Sequence, residues 1–107
     1  MEKEVQLTLS GGMLTARLCS EIDHHVARTI RESIDSELAL RRPQSLVLDF
    51  SDVKFMDSSG IALIIGRAEA CAQMNATVRI FGATPQLMRL IRLSGIEKIK
   101  NVYVEQK

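Results

Sequence analysis

The sequence lacks the features that mark secreted, metal-binding and membrane-spanning proteins. Its two cysteines, Cys19 and Cys71, have no metal-binding spacing, and its charged start is unlike a secretion signal. Both thiols are therefore expected to stay reduced, in or near the core of a cytoplasmic protein. The longest apolar stretch around the central motif, residues 61–65, is far shorter than the ~18 residues of a membrane-spanning helix. No membrane partner is expected.

An excess of charge of one sign is also missing. Lysine and arginine number 14, against 13 aspartates and glutamates, which gives no basic footprint for a nucleic acid. A glycine-rich phosphate loop of the form G-x-x-x-x-G-K is absent, which disfavours a nucleotide-binding domain. With 107 residues, 46% of them hydrophobic, the chain is expected to form one domain over residues 1–107, with its own core and no cofactor.

The pattern that is present begins with a β-hairpin and a helix. Apolar and polar residues alternate over residues 5–9 and 14–18, and Gly11-Gly12 between them suits a tight turn. Asp23 then caps a helix with a single apolar stripe. Arg-Arg-Pro at residues 41–43 ends that helix, because proline disfavours helix at the residue before it.

The rest of the chain predicts strands alternating with helices. Together with the hairpin, this alternation indicates an α/β fold, a mixed β-sheet covered by helices. The predicted elements are a buried strand (residues 46–50), a helix (Ile61 to near Asn75), a strand (77–81), a helix (Thr84-Pro85 to Gly95) and a weakly signalled strand (102–104).

Asp-Ser-Ser-Gly at residues 57–60 stands where the buried strand gives way to a helix. Serine and aspartate oxygens accept hydrogen bonds from the first free N–H groups of a helix, and the helix dipole favours negative charge there. The junction therefore suits an anion or a phosphorylated hydroxyl. By spacing alone, an ordinary helix cap is the favoured explanation.

The sequence around this junction resembles the phosphorylation motif of the anti-sigma factor antagonists, the bacterial branch of the STAS domain family. The matching segment is Phe-Met-Asp-Ser-Ser-Gly-Ile-Ala-Leu-Ile-Ile-Gly-Arg at residues 55–67. Three other segments agree with it: the loop at residues 20–25, the central strand at 44–49 and the last helix at 84–96. Within the family, the likeness is greatest to antagonists of the anti-sigma F factor of sporulating bacteria. Ser20 is a departure, because the family usually has glycine there.

The resemblance implies a phosphorylation-controlled binding protein and not an enzyme. Its unphosphorylated form would bind an anti-sigma factor that is also a serine kinase, and the sigma factor held there would be freed. Phosphorylation by that kinase would end the binding, and a serine phosphatase would restore it.

The family motif also assigns roles to residues. The phosphorylated hydroxyl falls on Ser58, with Asp57 orienting it, and Ser59 and Gly60 start the helix, Ser59 in the structural, capping position. Asp23 and His24 lie in the loop that the family uses beside the phosphorylation site. These six residues form the expected partner surface.

Several other interpretations stay open at this point. A STAS domain could instead serve a transport or stress-sensing complex, and Ser58 could be the nucleophile of a small hydrolase with His24 or His25 as base. The hydrolase elbow needs glycine two residues before the serine, where this chain has Met56. The two histidines are interpreted as structural or surface residues rather than metal ligands. Close packing is the expected reason for Gly66 within the helix.

Overall fold

The computed structural model describes residues 4–19 and 21–105, so Ser20 and the predicted departure at that position lie outside the described residues. Strands and helices alternate after an opening hairpin, as the sequence predicts. The strands are β1 (Val5–Ser10), β2 (Met13–Leu18), β3 (Glu21–Ile22), β4 (Ser45–Asp49), β5 (Phe55–Met56), β6 (Thr77–Phe81) and β7 (Val102–Glu105). The helices are α1 (His24–Arg41), α2 (Ser58–Gln73) and α3 (Pro85–Leu93), followed by a 3₁₀ turn at Ile96–Lys98.

The strands form one mixed sheet of five and a separate pair. The order of the large sheet is β1-β2-β4-β6-β7, in which only β1 and β2 are antiparallel. Gly11 and Gly12 join that hairpin with φ angles of 57° and 79°, which a two-residue turn of this kind requires. β4 is the central strand, as the family resemblance implied.

All three helices cover the same face of the large sheet. Each parallel crossover advances by one strand in the same direction, and right-handed connections then put every helix on one side. Burial agrees, because Leu46 and Leu48 of β4 are fully buried while Val47 between them is not. On the face away from the helices, Arg79 and Tyr103 are exposed.

The short elements were not predicted. β3 and β5 have two residues each and the 3₁₀ turn has three, which is too short for a periodic pattern to develop. The longer elements match their predictions, including β6 at Thr77–Phe81 and the start of α3 after Thr84. Gly95 follows α3 with a φ of 82°, as expected for a residue at a helix stop.

The prediction for Gly66 is wrong. A Cβ atom at that position would meet nothing within 4 Å, so no close packing requires glycine there. The residue lies within α2, where glycine costs ~1 kcal/mol of helix stability relative to alanine. The absence of a side chain at Gly66 therefore leaves open space beside the helix.

The cysteines are where the sequence predicted. Cys71 is fully buried, Cys19 is half-buried, and both are free thiols. Burial raises the pKa of Cys71 to about 11, which keeps it protonated and inert near neutral pH.

Candidate functional site

The short β3–β5 pair sets the starts of α1 and α2 side by side. Its strands run parallel, with Glu21 opposite Phe55 and Ile22 opposite Met56. The backbone N–H of Asp57 also donates to the Ile22 carbonyl over 3.3 Å. Because each strand leads almost directly into a helix, the pairing brings two segments that are distant in the sequence together.

Both helices are capped by an aspartate. Asp23 Oδ1 accepts from the Val26 N–H at 2.9 Å, as predicted, and Asp57 Oδ1 accepts from the Ser59 N–H at 2.8 Å. The prediction that the Ser59 hydroxyl caps α2 is therefore wrong. A carboxylate carries more negative charge than a hydroxyl toward the positive end of the helix dipole, which favours the aspartate in this role.

The aspartate cap leaves the hydroxyl of Ser58 free. Ser58 is the exposed first residue of α2, and its Oγ makes no hydrogen bond to any residue that the structure describes. No histidine within residues 4–19 and 21–105 is hydrogen-bonded to it, so the Ser–His pair of a hydrolase is not assembled. Ser59 is half-buried.

Gly60, which follows the two serines, allows the first turn of α2 to lie close to the β3–β5 pair. It is buried, and a Cβ atom there would overlap the Cγ and Sδ atoms of Met56. Met56 is itself 5% exposed, so its side chain has little room to retreat. Glycine at this position therefore allows α2 to begin directly against β5.

Three arginines lie near these residues and were not predicted from the sequence to be part of the site. His24, Arg28 and Arg31 recur on α1 at a spacing of four and three, which puts them on one helix face. Together with Arg67 of α2, they line a groove between α1 and α2. Arg28 and Arg31 are exposed. The α1 spacing is visible in the sequence, but the approach of α2 is not.

Comparison with known proteins places the chain in a family. The STAS domain profile matches residues 4–105, and the chain belongs to the STAS domain family. An anti-sigma F factor antagonist of Paenibacillus polymyxa is 31% identical over 103 residues, which are 96% of this chain and 88% of that protein. An anti-sigma-B factor antagonist of Listeria monocytogenes is 27% identical over 88 residues, 79% of this chain and 76% of the relative.

The fold is that of a known antagonist. The anti-sigma factor antagonist SpoIIAA in its unphosphorylated form superposes with a TM-score of 0.76 at 21% identity, covering 96% of this chain and 88% of the other. The phosphorylated form of SpoIIAA from Bacillus gives the same TM-score at 23% identity, covering 96% of this chain and 90% of the other. The predicted fold class is thus confirmed. None of the helices in the described residues is long and apolar enough to cross a membrane.

Proposed function

We propose that this protein is an anti-sigma factor antagonist whose partner binding is switched off by phosphorylation of Ser58. One observation carries the assignment of the residue: Ser58 is exposed at the start of α2, and Asp57 leaves its hydroxyl out of the cap. The family membership and the names of the relatives support the function.

The partner is an anti-sigma factor with serine kinase activity. In its unphosphorylated form the chain binds this kinase and the sigma factor is released; the kinase then transfers phosphate from ATP to Ser58, and a serine phosphatase removes it. We propose that residues 1–107 do this as one non-enzymatic domain. The cytoplasmic location stays a prediction from the sequence.

The proposed contact surface consists of the two adjacent helix starts. It contains Asp23 and His24 from α1, and Asp57, Ser58, Ser59 and Gly60 from α2. The β3–β5 pairing supports this grouping, because it makes one continuous surface of two separate segments.

Electrostatics explains why phosphate ends the binding. A phosphoserine at position 58 carries ~1.5 to 2 negative charges and stands beside the carboxylate of Asp57. Burying that charge in a fitted interface costs ~3 kcal/mol when no cation compensates, which is roughly 100-fold in affinity.

A binding assay with and without ATP tests the proposal. The chain is mixed with purified anti-sigma F kinase, and separately with an anti-sigma-B kinase, and complex formation is followed by size-exclusion chromatography. Wild type is expected to bind one of the kinases and to be released when ATP replaces ADP. Ser58→Ala is expected to bind and stay bound, whereas the matched control Ser59→Ala is expected to be released.

Two results would contradict the proposal. Failure of the wild-type chain to bind either kinase would reject antagonism of these anti-sigma factors. Release of Ser58→Ala by ATP would place the switch at another residue. The choice between the two kinases also decides between the two kinds of relative, which have 31% and 27% identity to this chain.

A further inference from the structure

The groove between α1 and α2, called here the α1–α2 groove, has a volume of about 460 Å³ and opens beside the proposed phosphorylation site. One wall is α1 and the other is α2, beginning at Ser59, the residue next to Ser58. The α1 wall includes His24, Arg28 and Arg31, and the α2 wall includes Ser59, Gly66 and Arg67.

Arg67 is a buried cation without a complete set of acceptors. The residue is 6% exposed, and its Nε atom lies 2.8 Å from Asp35 Oδ1. That contact is an ion pair with poor hydrogen-bond alignment, and neither Nε nor Nη1 has a hydrogen-bond acceptor among the described residues. A buried donor without an acceptor is costly, so an anion that reached this guanidinium would be stabilised.

The other arginines of the groove add to its positive charge. Arg28 lies 3.6 Å from Glu32, whereas Arg31 has no ion pair with any residue in the described ranges. Burial lowers the pKa of Arg67 most strongly; Asp35 opposes that effect, and the nearby positive charge of Arg31 adds to it. The two guanidinium groups therefore repel each other across the groove, and a negative charge between them would relieve that repulsion.

Gly66 keeps the α2 wall of the groove open. It lies one turn from Leu63 and next to Arg67, and a Cβ atom there would meet nothing within 4 Å. Glycine within a helix is unfavourable, and neither packing nor a positive φ angle requires it at this position. Its effect is to preserve space beside the arginines, which is the property that a binding groove needs.

We propose that the α1–α2 groove receives an acidic side chain of the anti-sigma partner, which binds between Arg31 and Arg67. This inference rests on the proposed function. Its occupant is a protein carboxylate because the groove continues the proposed contact surface through His24 and Ser59. The sequence has no glycine-rich loop to hold the phosphates of a nucleotide.

The groove also gives phosphorylation a second means of ending the binding. A phosphate on Ser58 would add negative charge next to the groove and reduce its attraction for the partner's carboxylate. Repulsion between the phosphate and that carboxylate would then act together with the cost of burying the phosphate.

Two variants test the groove in different ways. Arg31→Gln removes a charge and is expected to weaken binding to the cognate kinase by about tenfold, with a smaller dependence on salt. Its matched control is Arg41→Gln on the same helix, outside the groove lining, which is expected to change affinity less than about twofold. Gly66→Leu fills the groove without changing its charge, and it is expected to melt at or above the wild-type temperature while binding about tenfold more weakly.

The partner carboxylate is found by changing acidic surface residues of the kinase to their amides. One such variant is expected to weaken binding to wild type but to have little further effect on Arg31→Gln. As a test for a free anion, inorganic phosphate is titrated into the chain alone, and the backbone NMR signals of Arg31 and Gly66 are expected to stay unchanged at millimolar concentration.

The outcomes separate this inference from the proposed function. If wild type binds the kinase and is released by ATP, but Arg31→Gln and Gly66→Leu bind equally well, the groove proposal is wrong and the function stands. Saturable shifts with inorganic phosphate would assign the groove to a small anion and also reject it. Absence of any complex with the wild-type chain would instead reject the proposed function.

Discussion

The starts of α2 and α3 are capped by different side chains, a carboxylate at α2 and a hydroxyl at α3. At α3, the Thr84 hydroxyl accepts from the Leu87 N–H at 3.2 Å, and Pro85 occupies the first helical position. At α2, the Asp57 carboxylate accepts from Ser59 instead, which leaves the hydroxyl of Ser58 unused. A serine at a helix start is therefore available for modification when the residue before it provides the cap.

The two helix starts also differ in what holds them. The start of α2 lies against β5 and beside the start of α1, and the two helix starts form the proposed contact surface. The start of α3 follows Gly82, which has a φ of 81° and lies close to the backbone N and the Oγ of Ser51. We therefore expect substitutions at the start of α3 to lower stability alone, and substitutions at the start of α2 to lower partner affinity as well.

The largest loss of stability is expected when alanine replaces Gly82, which precedes α3, or Gly60, which lies in the first turn of α2. Gly82→Ala combines a positive φ with overlap of Ser51 Oγ, and should lower the free energy of unfolding by about 3 kcal/mol. Gly60→Ala should cost about 1–3 kcal/mol, because the added Cβ overlaps the Met56 side chain but Gly60, unlike Gly82, has no positive φ angle. Urea denaturation measures both values.

Kinase affinity distinguishes these two glycine variants. The folded fraction of Gly82→Ala should bind as wild type does, whereas Gly60→Ala should bind more weakly because the serines are displaced. Equal affinity of the two variants would show that the start of α2 has no special role in binding.

Removal of a helix cap is expected to cause an intermediate loss of stability. Asp57→Ala and Thr84→Ala each remove the side chain that accepts from the first turn, and each should cost about 1 kcal/mol. Ser58→Ala removes no such bond and should change stability by less than about 0.5 kcal/mol. Thermal melts of the three variants check this order; a loss at Ser58 as large as that at Asp57 would mean that the hydroxyl shares in the cap.

The smallest stability change is expected for Asp23→Asn. Asparagine retains a capping oxygen for the Val26 N–H, so the melting temperature should hardly move. The lost charge should still weaken kinase binding, which isothermal titration calorimetry would detect. A lower melting temperature with unchanged affinity would make Asp23 a cap and nothing more.

The sequence was sufficient for the long elements and for caps that have a single candidate. Asp23 and Thr84-Pro85 were predicted correctly, because each is the one suitable capping residue before a clear apolar period. At α2, Asp57, Ser58 and Ser59 all qualify, and the register of the first turn decides between them. That register depends on the contact of Gly60 with Met56, and the position of Met56 is set by the pairing of β5 with the distant strand β3.

The arrangement of the site depends on contacts between distant segments. Pairing of β3 with β5 involves two residues on each strand, too few to leave a pattern, yet it joins the two halves of the proposed contact surface. Arg31 and Arg67 are separated widely in sequence, and the packing of α1 against α2 brings them to one groove. No property of either helix alone predicts that meeting.

Mapping the phosphate tests the central claim most directly, because two neighbouring serines at one helix start compete for a single role. The chain is incubated with its cognate kinase and ATP, digested and analysed by fragment mass spectrometry, and the intact phosphoprotein is melted in parallel. A single phosphate on Ser58 and a retained cooperative melt are expected, since the helix dipole tolerates the added charge. Phosphate on Ser59, or loss of the cooperative melt, would contradict a switch that acts locally at the exposed hydroxyl.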